Sequence, residues 1–268
     1  MHVSEKGGGW DCHVHIFDAA APRQAGHYSP VHRPLVQIEA EAAKLGVHHL
    51  VLVQPSVYGS DNSLLLSALR VDPGRHRGVV VLSGAESDAE LDAMHTAGVR
   101  GARLNLVSPV GESRPVAERF EQLAPRLIAR AWHLQWYAGP AHLQTLASLH
   151  AGSGLVCVLD HMGGMHAGLS DDHAAWAALS TLAAQGAWIK LSGWYRLGAV
   201  EPYSVLLPVI HKMLALFGPH TVWGSDWPHT SFANDQMPAY ASMWWPVVAG
   251  VGEHEAKHLL GRRPTIYG

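Results

Sequence analysis

Residues 10–17 read WDCHVHIF, an apolar residue and an aspartate leading into two histidines spaced by one. In an extended strand alternate side chains share a face, so His13 and His15 are expected to point one way and Cys12 and Val14 the other. That brings two imidazoles to one point. The chain holds 20 histidines, so the pair also fits a strand that merely contains two of them. The rest of the sequence bears on the choice, because each later strand-like run also closes on polar or turn residues.

Outward from this strand the sequence alternates. Residues 18–34, rich in Ala, Pro, Gly and His, form a long loop, and 35–45 has the spacing of an amphipathic helix stopped by Gly46. HLVLV (49–53) is a buried strand running into Gln54, Pro55 and Ser56; DNSLLLSALR (61–70) is a helix with Asp61 or Asn62 as its cap; GVVVL (78–82) is a third strand. A helix over 87–97 closes at Gly98, and GARLNL (101–106) is the fourth strand. Residues 115–131 give a helix interrupted or restarted at Pro125, HLQWY (133–137) a fifth strand, 141–150 a helix, and LVCVL (155–159) a sixth strand that runs into Asp160, His161 and a Gly-Gly pair. A helix over 173–184, the strand WIKL (188–191), a helix over 204–217 and the strand TVWG (221–224) follow, with SDWPH (225–229) after the last strand and a final helix over 253–260. Eight buried strands alternating with helices predict an α/β fold, a single (β/α)8 TIM-type barrel forming one domain over 1–268.

Composition narrows the partners. With 48% hydrophobic and 15% charged residues the chain fills a large core, and a formal charge of -3 with no basic run excludes an electrostatic footprint for nucleic acid or an anionic membrane. A small molecule is the expected partner. Cys12 and Cys157 lie in separate strands, which predicts reduced thiols, inert packing and a cytoplasmic protein. No apolar segment of about 18 residues is present, and no apolar core of a secretory signal follows Met1, so a soluble, unprocessed chain is expected. The Trp-rich run 237–250, interrupted by Pro238 and Pro246, reads as a helix over the barrel or a surface for homo-oligomer formation.

Active sites of such barrels gather at the C-terminal strand ends. There the sequence brings His13 and His15, Ser56, Arg103, Tyr137, His161, Arg196 and Asp226. Arg103 stands in an apolar strand with no acid beside it, an arrangement that favours a polar cavity or a ligand. The stretches DCHVHIFD, VLVQPSVYGSDN, GVRGARLN, VLDHMGG, IKLSGWYR and GSDWPH, in this order, resemble the amidohydrolase superfamily, and within it the branch of sugar lactonases and 2-pyrone-4,6-dicarboxylate lactonases. The resemblance spans nearly the whole chain. It implies a hydrolase that opens a carboxylate or polyhydroxy lactone, with Asp226 as general base on water and His13, His15 and His161 lining the reacting centre. Arg103 would bind a substrate carboxylate or the oxyanion, and Ser56, Tyr28, Tyr137, Arg196 and His229 would contact substrate. The chain departs from the pyrone lactonases at Pro109, where they carry a second arginine six residues past the first, and at Arg263, where the superfamily usually has Asn.

No metal is expected. The metal-dependent members carry a histidine on the fifth strand, whereas this strand ends in Tyr137. Were a single Zn or Mn ion bound, its ligands would be His13, His15, His161 and Asp226. Two rivals remain at this stage: a metal-dependent decarboxylase or other amidohydrolase, and a barrel that only binds a ligand.

Overall fold

The structure is a computed structural model and describes residues 8–22, 24, 30–108 and 111–268. Eight strands, β1 (Gly9–Val14), β2 (Val47–Val53), β3 (Arg77–Val80), β4 (Val99–Asn105), β5 (His133–Tyr137), β6 (Cys157–Leu159), β7 (Trp188–Leu191) and β8 (Thr221–Trp223), pair in sequence order, every neighbour parallel. Eight helices return the chain: α1 (Leu35–Ala43), α2 (Ser63–Val71), α3 (Asp88–Ala97), α4 (Val116–Ile128), α5 (Leu143–His150), α6 (Ala174–Ala184), α7 (Leu207–Phe217) and α8 (Trp245–Gly261). The ring closes between β1 and the segment after β8, where Val14 bridges Trp227 and the His13 carbonyl accepts from Asp226 N at 2.9 Å. The expected (β/α)8 barrel is the observed one. No helix of the described residues is long and apolar enough to cross a membrane.

Strand residues alternate between two cores, as parallel strands covered on both faces require. One set, including Leu50, Leu52, Leu134, Trp136, Ile189 and Leu191, packs against the helices; the other, Trp10, Cys12, Val51, Val53, Val79, Val158, Trp188 and Val222 with Tyr267, fills the lumen below the site. Cys12 overturns the expectation that it shares a side with Val14: it belongs to the lumen set and Val14 to the outer set. The pairing of β1 with β2 shifts register between Asp11 and Val14, so strict alternation is broken just before His13.

Helix ends follow local chemistry. Ser87 caps α3 with a reciprocal Glu90 capping box, and Gly98 ends it in the left-handed conformation. Pro125 does not interrupt α4. It is exposed, whereas Leu123, Ala124 and Leu127 are buried, so the backbone acceptor that proline leaves unpaired is on the outer side of the helix. The run 237–250 holds a short 3-10 turn (Tyr240–Met243) whose Met243 carbonyl accepts from the Trp194 and Trp223 indoles, followed by α8. Pro246 sits in the first turn of α8, the helical position that tolerates it, so this helix begins before the expected residue 253 and kinks at Gly252.

Candidate active site

His13 lies in β1 and His15 one residue beyond it, and the two rings face one another with Nε2 atoms 3.3 Å apart. Asp226 follows β8, and its Oδ1 is 3.6 Å from His13 Nε2 and 3.5 Å from His15 Nε2. His161 opens the turn after β6 and completes the group, with Nε2 4.0 Å from Asp226 Oδ2. Both His161 (φ 49) and Asp226 (φ 59) adopt left-handed backbone, and Met162, Gly163 and Gly164 continue it past His161. Such conformations cost of order 1–3 kcal/mol each for non-glycine residues and persist where surrounding structure imposes them. Gly193, also left-handed, backs the ring: a Cβ there would stand 2.4 Å from His161 Nδ1.

The partners of the outer ring nitrogens fix what the inner ones present. His15 Nδ1 meets the Val53 carbonyl at 2.7 Å, and His13 Nδ1 stands 3.1 Å from Asp160 Oδ1. The Val53 carbonyl only accepts, so the His15 ring carries its proton on Nδ1 and keeps a lone pair on Nε2, whereas His13 Nδ1 faces both the Asp160 carboxylate and, at 3.5 Å, the Lys190 ammonium. Asp226 Oδ1 is buried with no donor. Asp226 Oδ1 and the Nε2 atoms of His13 and His15 therefore converge on one point.

The other face of Asp226 is saturated. Its Oδ2 accepts from Tyr195 Oη at 2.6 Å and from Arg196 Nε at 2.5 Å. Burial works to raise the Asp226 carboxyl, but the Arg196 guanidinium, with His161 and His15 beside it, outweighs this and holds it well below the usual carboxylate range. Burial lowers His161 to about 4 and holds His13 well below its usual value, with Lys190 adding to the latter. Those two imidazoles are neutral at pH 7.

Beneath His13 lies a buried polar layer. Asp160 Oδ2 accepts from Arg103 Nε at 2.9 Å and from Gln135 Nε2 at 3.0 Å, while Lys190 Nζ donates to Gln135 Oε1 at 2.7 Å. Arg103 is thus not free of acidic partners as its own strand suggested; β6 supplies one. Its side chain still reaches the cavity above, a space of about 200 Å³ lined by His15, Ser56, Asn105, Tyr137, Arg196 and Thr230 among others. The Arg103 and Arg196 guanidiniums stand 5.3 and 5.8 Å from the Tyr137 ring centre. Ser56 Oγ accepts from Asn105 Nδ2 at 2.7 Å, and Arg196 Nη2 donates to Thr230 Oγ1 at 3.1 Å.

Of the residues expected at the site, His13, His15, His161, Asp226, Arg103, Ser56, Tyr137 and Arg196 are brought together. His229 is buried, edge-on to Tyr195 at 5.8 Å, and does not line the cavity. Tyr28 and Pro109 lie outside the described residues. Asp160, Gln135, Lys190, Tyr195 and Asn105 were not singled out from sequence. The signal available for Lys190 was the one used for Arg103, a cation inside a short apolar strand.

A sequence profile described as Amidohydrolase matches residues 10–248. The chain belongs to the amidohydrolase family. Within that family it is 29% identical to a 2-pyrone-4,6-dicarboxylate hydrolase of Comamonas testosteroni, over 97% of this chain and 90% of that protein. It is also 29% identical to a 4-sulfomuconolactone hydrolase of Rhizobium radiobacter, over 84% of this chain and 77% of the relative. A crystal structure of a Pseudomonas putida protein, described as a candidate 2-pyrone-4,6-dicarboxylic acid hydrolase, superposes with a TM-score of 0.86 at 31% identity, covering 98% of both chains.

Amidohydrolases often hold a metal, and the donor set can be tested for one. Ligand atoms around a tetrahedral Zn ion at about 2.1 Å lie roughly 3.4 Å apart. The separations of 3.3, 3.5 and 3.6 Å among His13 Nε2, His15 Nε2 and Asp226 Oδ1 match that spacing, and His13, His161 and Asp226 offer ligand atoms within 4.8 Å of one another. These residues fit a single ion. A second ion has no comparable set among the described residues, and Arg103 and Lys190 place positive charge beside the nearby Asp160.

Proposed function

We propose that this amidohydrolase opens a lactone bearing a carboxylate, with Asp226 taking the proton of the attacking water. The observation that carries the proposal is Asp226 Oδ1: a buried carboxylate oxygen without a hydrogen-bond donor, facing two imidazole nitrogens next to the His15 and Arg196 that line the cavity. A water within reach of all three atoms has an ionised carboxylate to take its proton as its oxygen attacks the ring carbonyl. The carbonyl oxygen gains charge, the ring C–O bond breaks, and the proton passes to the departing ring oxygen, giving a hydroxy acid or its keto form. Asp226 Oδ1, the atom that took the proton, returns it to the departing oxygen directly or through one water. An ester needs less activation than an amide, so one oriented base and cationic donors suffice; each donor aimed at the oxyanion contributes about 3–4 kcal/mol.

Arg103 and Arg196 flank Tyr137 on the cavity wall and supply the anion-binding charge, with Ser56 and Asn105 contacting the ring substituents. Pro109 replaces the second arginine of the pyrone dicarboxylate lactonases, so a substrate with one carboxylate, or one carboxylate and hydroxyls, is the better match. A divalent ion, when bound by His13, His15 and Asp226 with His161 adjacent, supplies polarisation of the carbonyl and a more acidic water. Reduced, buried Cys12 and Cys157 suit a cytoplasmic enzyme. The test is a screen of purified protein against aldonolactones, pyrone carboxylates and muconolactones, following acid release. Opening of carboxylated members at least about tenfold faster than neutral ones is expected; a panel left intact overturns the proposal.

A further inference from the structure

Beside the reacting cavity lies a second recess that the reaction above leaves unused, enclosed by the chain after β1 and the chain after β8. Its volume is about 210 Å³, and Thr230 lines both it and the reacting cavity, so the two spaces meet at one side chain. Arg196 holds that side chain in place, its Nη2 donating to Thr230 Oγ1 at 3.1 Å. Pro30, Val31, Pro228, Phe232 and Met237 give the recess an apolar wall, on which Val31 keeps 42% of its surface in solvent. Arg33 brings a positive charge to this wall.

The backbone fixes where that charge stands. Phe17 and Arg33 form an antiparallel bridge, with Arg33 N donating to the Phe17 carbonyl at 2.8 Å and Phe17 N to the Arg33 carbonyl at 2.9 Å. From there the guanidinium reaches the chain after β8, where Nη2 donates to Asn234 Oδ1 at 3.0 Å, while Nη1 donates to the His32 carbonyl at 3.3 Å. Both acceptors are neutral. Among the described residues no carboxylate pairs with Arg33; Asp18, on the same stretch of chain, faces the His32 ring at 3.5 Å instead. A guanidinium whose charge is not neutralised, set on an apolar wall, suits a ligand with a hydrocarbon body ending in a carboxylate: the wall covers the hydrocarbon and the planar fork meets the two oxygens.

We propose that this recess is a second substrate subsite: it takes an apolar arm of the lactone that ends in a carboxylate, paired with Arg33, while the ring and its own carboxylate occupy the inner cavity. The inference rests on the proposed function for that inner half. With Pro109 in place of an inner arginine, a second anionic group finds its cation here rather than beside the ring. The test is a calorimetric titration with the straight-chain dicarboxylates from succinate to azelate, one end held by Arg103 and Arg196 and the other reaching Arg33. Affinity should peak at one chain length, where the dicarboxylate binds about tenfold more tightly than the monocarboxylate of equal length, the gain of one charge-assisted pair. Arg33→Gln should erase that tenfold difference and leave acetate binding unchanged. Val31→Asp, which sets a negative charge on the exposed wall, should weaken the best dicarboxylate and again spare acetate. Affinity independent of chain length, or a peak that survives in Arg33→Gln, overturns the inference. These titrations need no turnover, so a protein that opens no lactone defeats the proposed function alone, whereas dicarboxylates indifferent to Arg33 in an active lactonase defeat this inference alone.

Discussion

Replacing Asp226 by Asn separates the chemistry of the site from its architecture. The amide oxygen can still accept from Tyr195 and Arg196, which reach Asp226 Oδ2 at 2.6 and 2.5 Å. Its NH2 turns toward His13 and His15, whose Nε2 atoms lie 3.6 and 3.5 Å from Oδ1. Every polar group therefore keeps a partner, and only the charge of the ion pair with Arg196 is lost. Removing one member of a fully buried pair costs about 3–5 kcal/mol. Arg196 keeps 16% of its side chain in solvent, and two imidazoles gain a donor worth about 1 kcal/mol, so a net loss of roughly 1–2 kcal/mol is expected. For a chain of this size that lowers Tm by about 2–8 °C. Turnover should fall about 100- to 10,000-fold, because the proton acceptor is gone. That corresponds to about 3–5 kcal/mol on the barrier, well above the stability change. KM for a carboxylated lactone should hold or fall, since Arg196 loses the anion that occupies it. The assay is acid release under saturating lactone, with thermal melting of the same preparation. Turnover within about threefold of wild type would falsify the assignment of Asp226 as base.

Further expectations follow from the same geometry. With His161 lowered to about 4 by burial and Asp226 held below the usual carboxylate range, kcat/KM should be flat from about pH 8 to 5 and drop only near pH 4; a midpoint near 6.5 would mean an unperturbed histidine controls the rate. Stability should also decline in acid. His161 and His229 are lowered to about 4 and His133 to about 3, whereas the unfolded chain protonates them near 6.5, so stability is full above about pH 6.5 and is lost as pH falls toward 4, by about 3 kcal/mol for a shift like that of His161. Urea midpoints equal at pH 7 and 4.5 would contradict this. Arg103→Met leaves Asp160 with Gln135 and Lys190 and should weaken binding of a carboxylated lactone by about 1.5–3 kcal/mol; unfolding with unchanged affinity per folded molecule would make Arg103 purely structural. Activity should survive exhaustive chelation, because β5 ends in Tyr137 and Arg196 already neutralises Asp226; loss restored by Zn or Mn would assign the water to an ion on His13, His15 and Asp226.

The barrel was legible because strands buried on both sides read as short apolar runs, and HLQWY and WIKL mark β5 and β7 to the residue. The His13 and His15 pairing was legible for the same reason, since period two survives locally even though a register shift displaces Cys12. What could not be read are contacts set by sheet closure. Arg103 and Asp160 are 57 residues apart, Lys190 and His13 are 177 apart, and no periodicity links them. Pro125 misled because a proline's effect depends on its helical position and on which face it occupies, and both depend on packing. His229, expected from the GSDWPH stretch, is buried edge-on to Tyr195.

The lumen below the reacting centre is packed shut by Cys12, Val51, Val79, Val158, Trp188, Val222 and Tyr267. The site is therefore a cul-de-sac, and lactone, water and opened acid share one doorway at the top of the barrel. Hydrolysis of a cyclic ester adds a carboxylate, so whatever leaves carries one more negative charge than what arrived. It departs past Arg103 and Arg196 on the cavity wall, the same charges that drew the substrate in. Acid that accumulates is therefore expected to slow the enzyme by occupying the site, which product-inhibition kinetics would show.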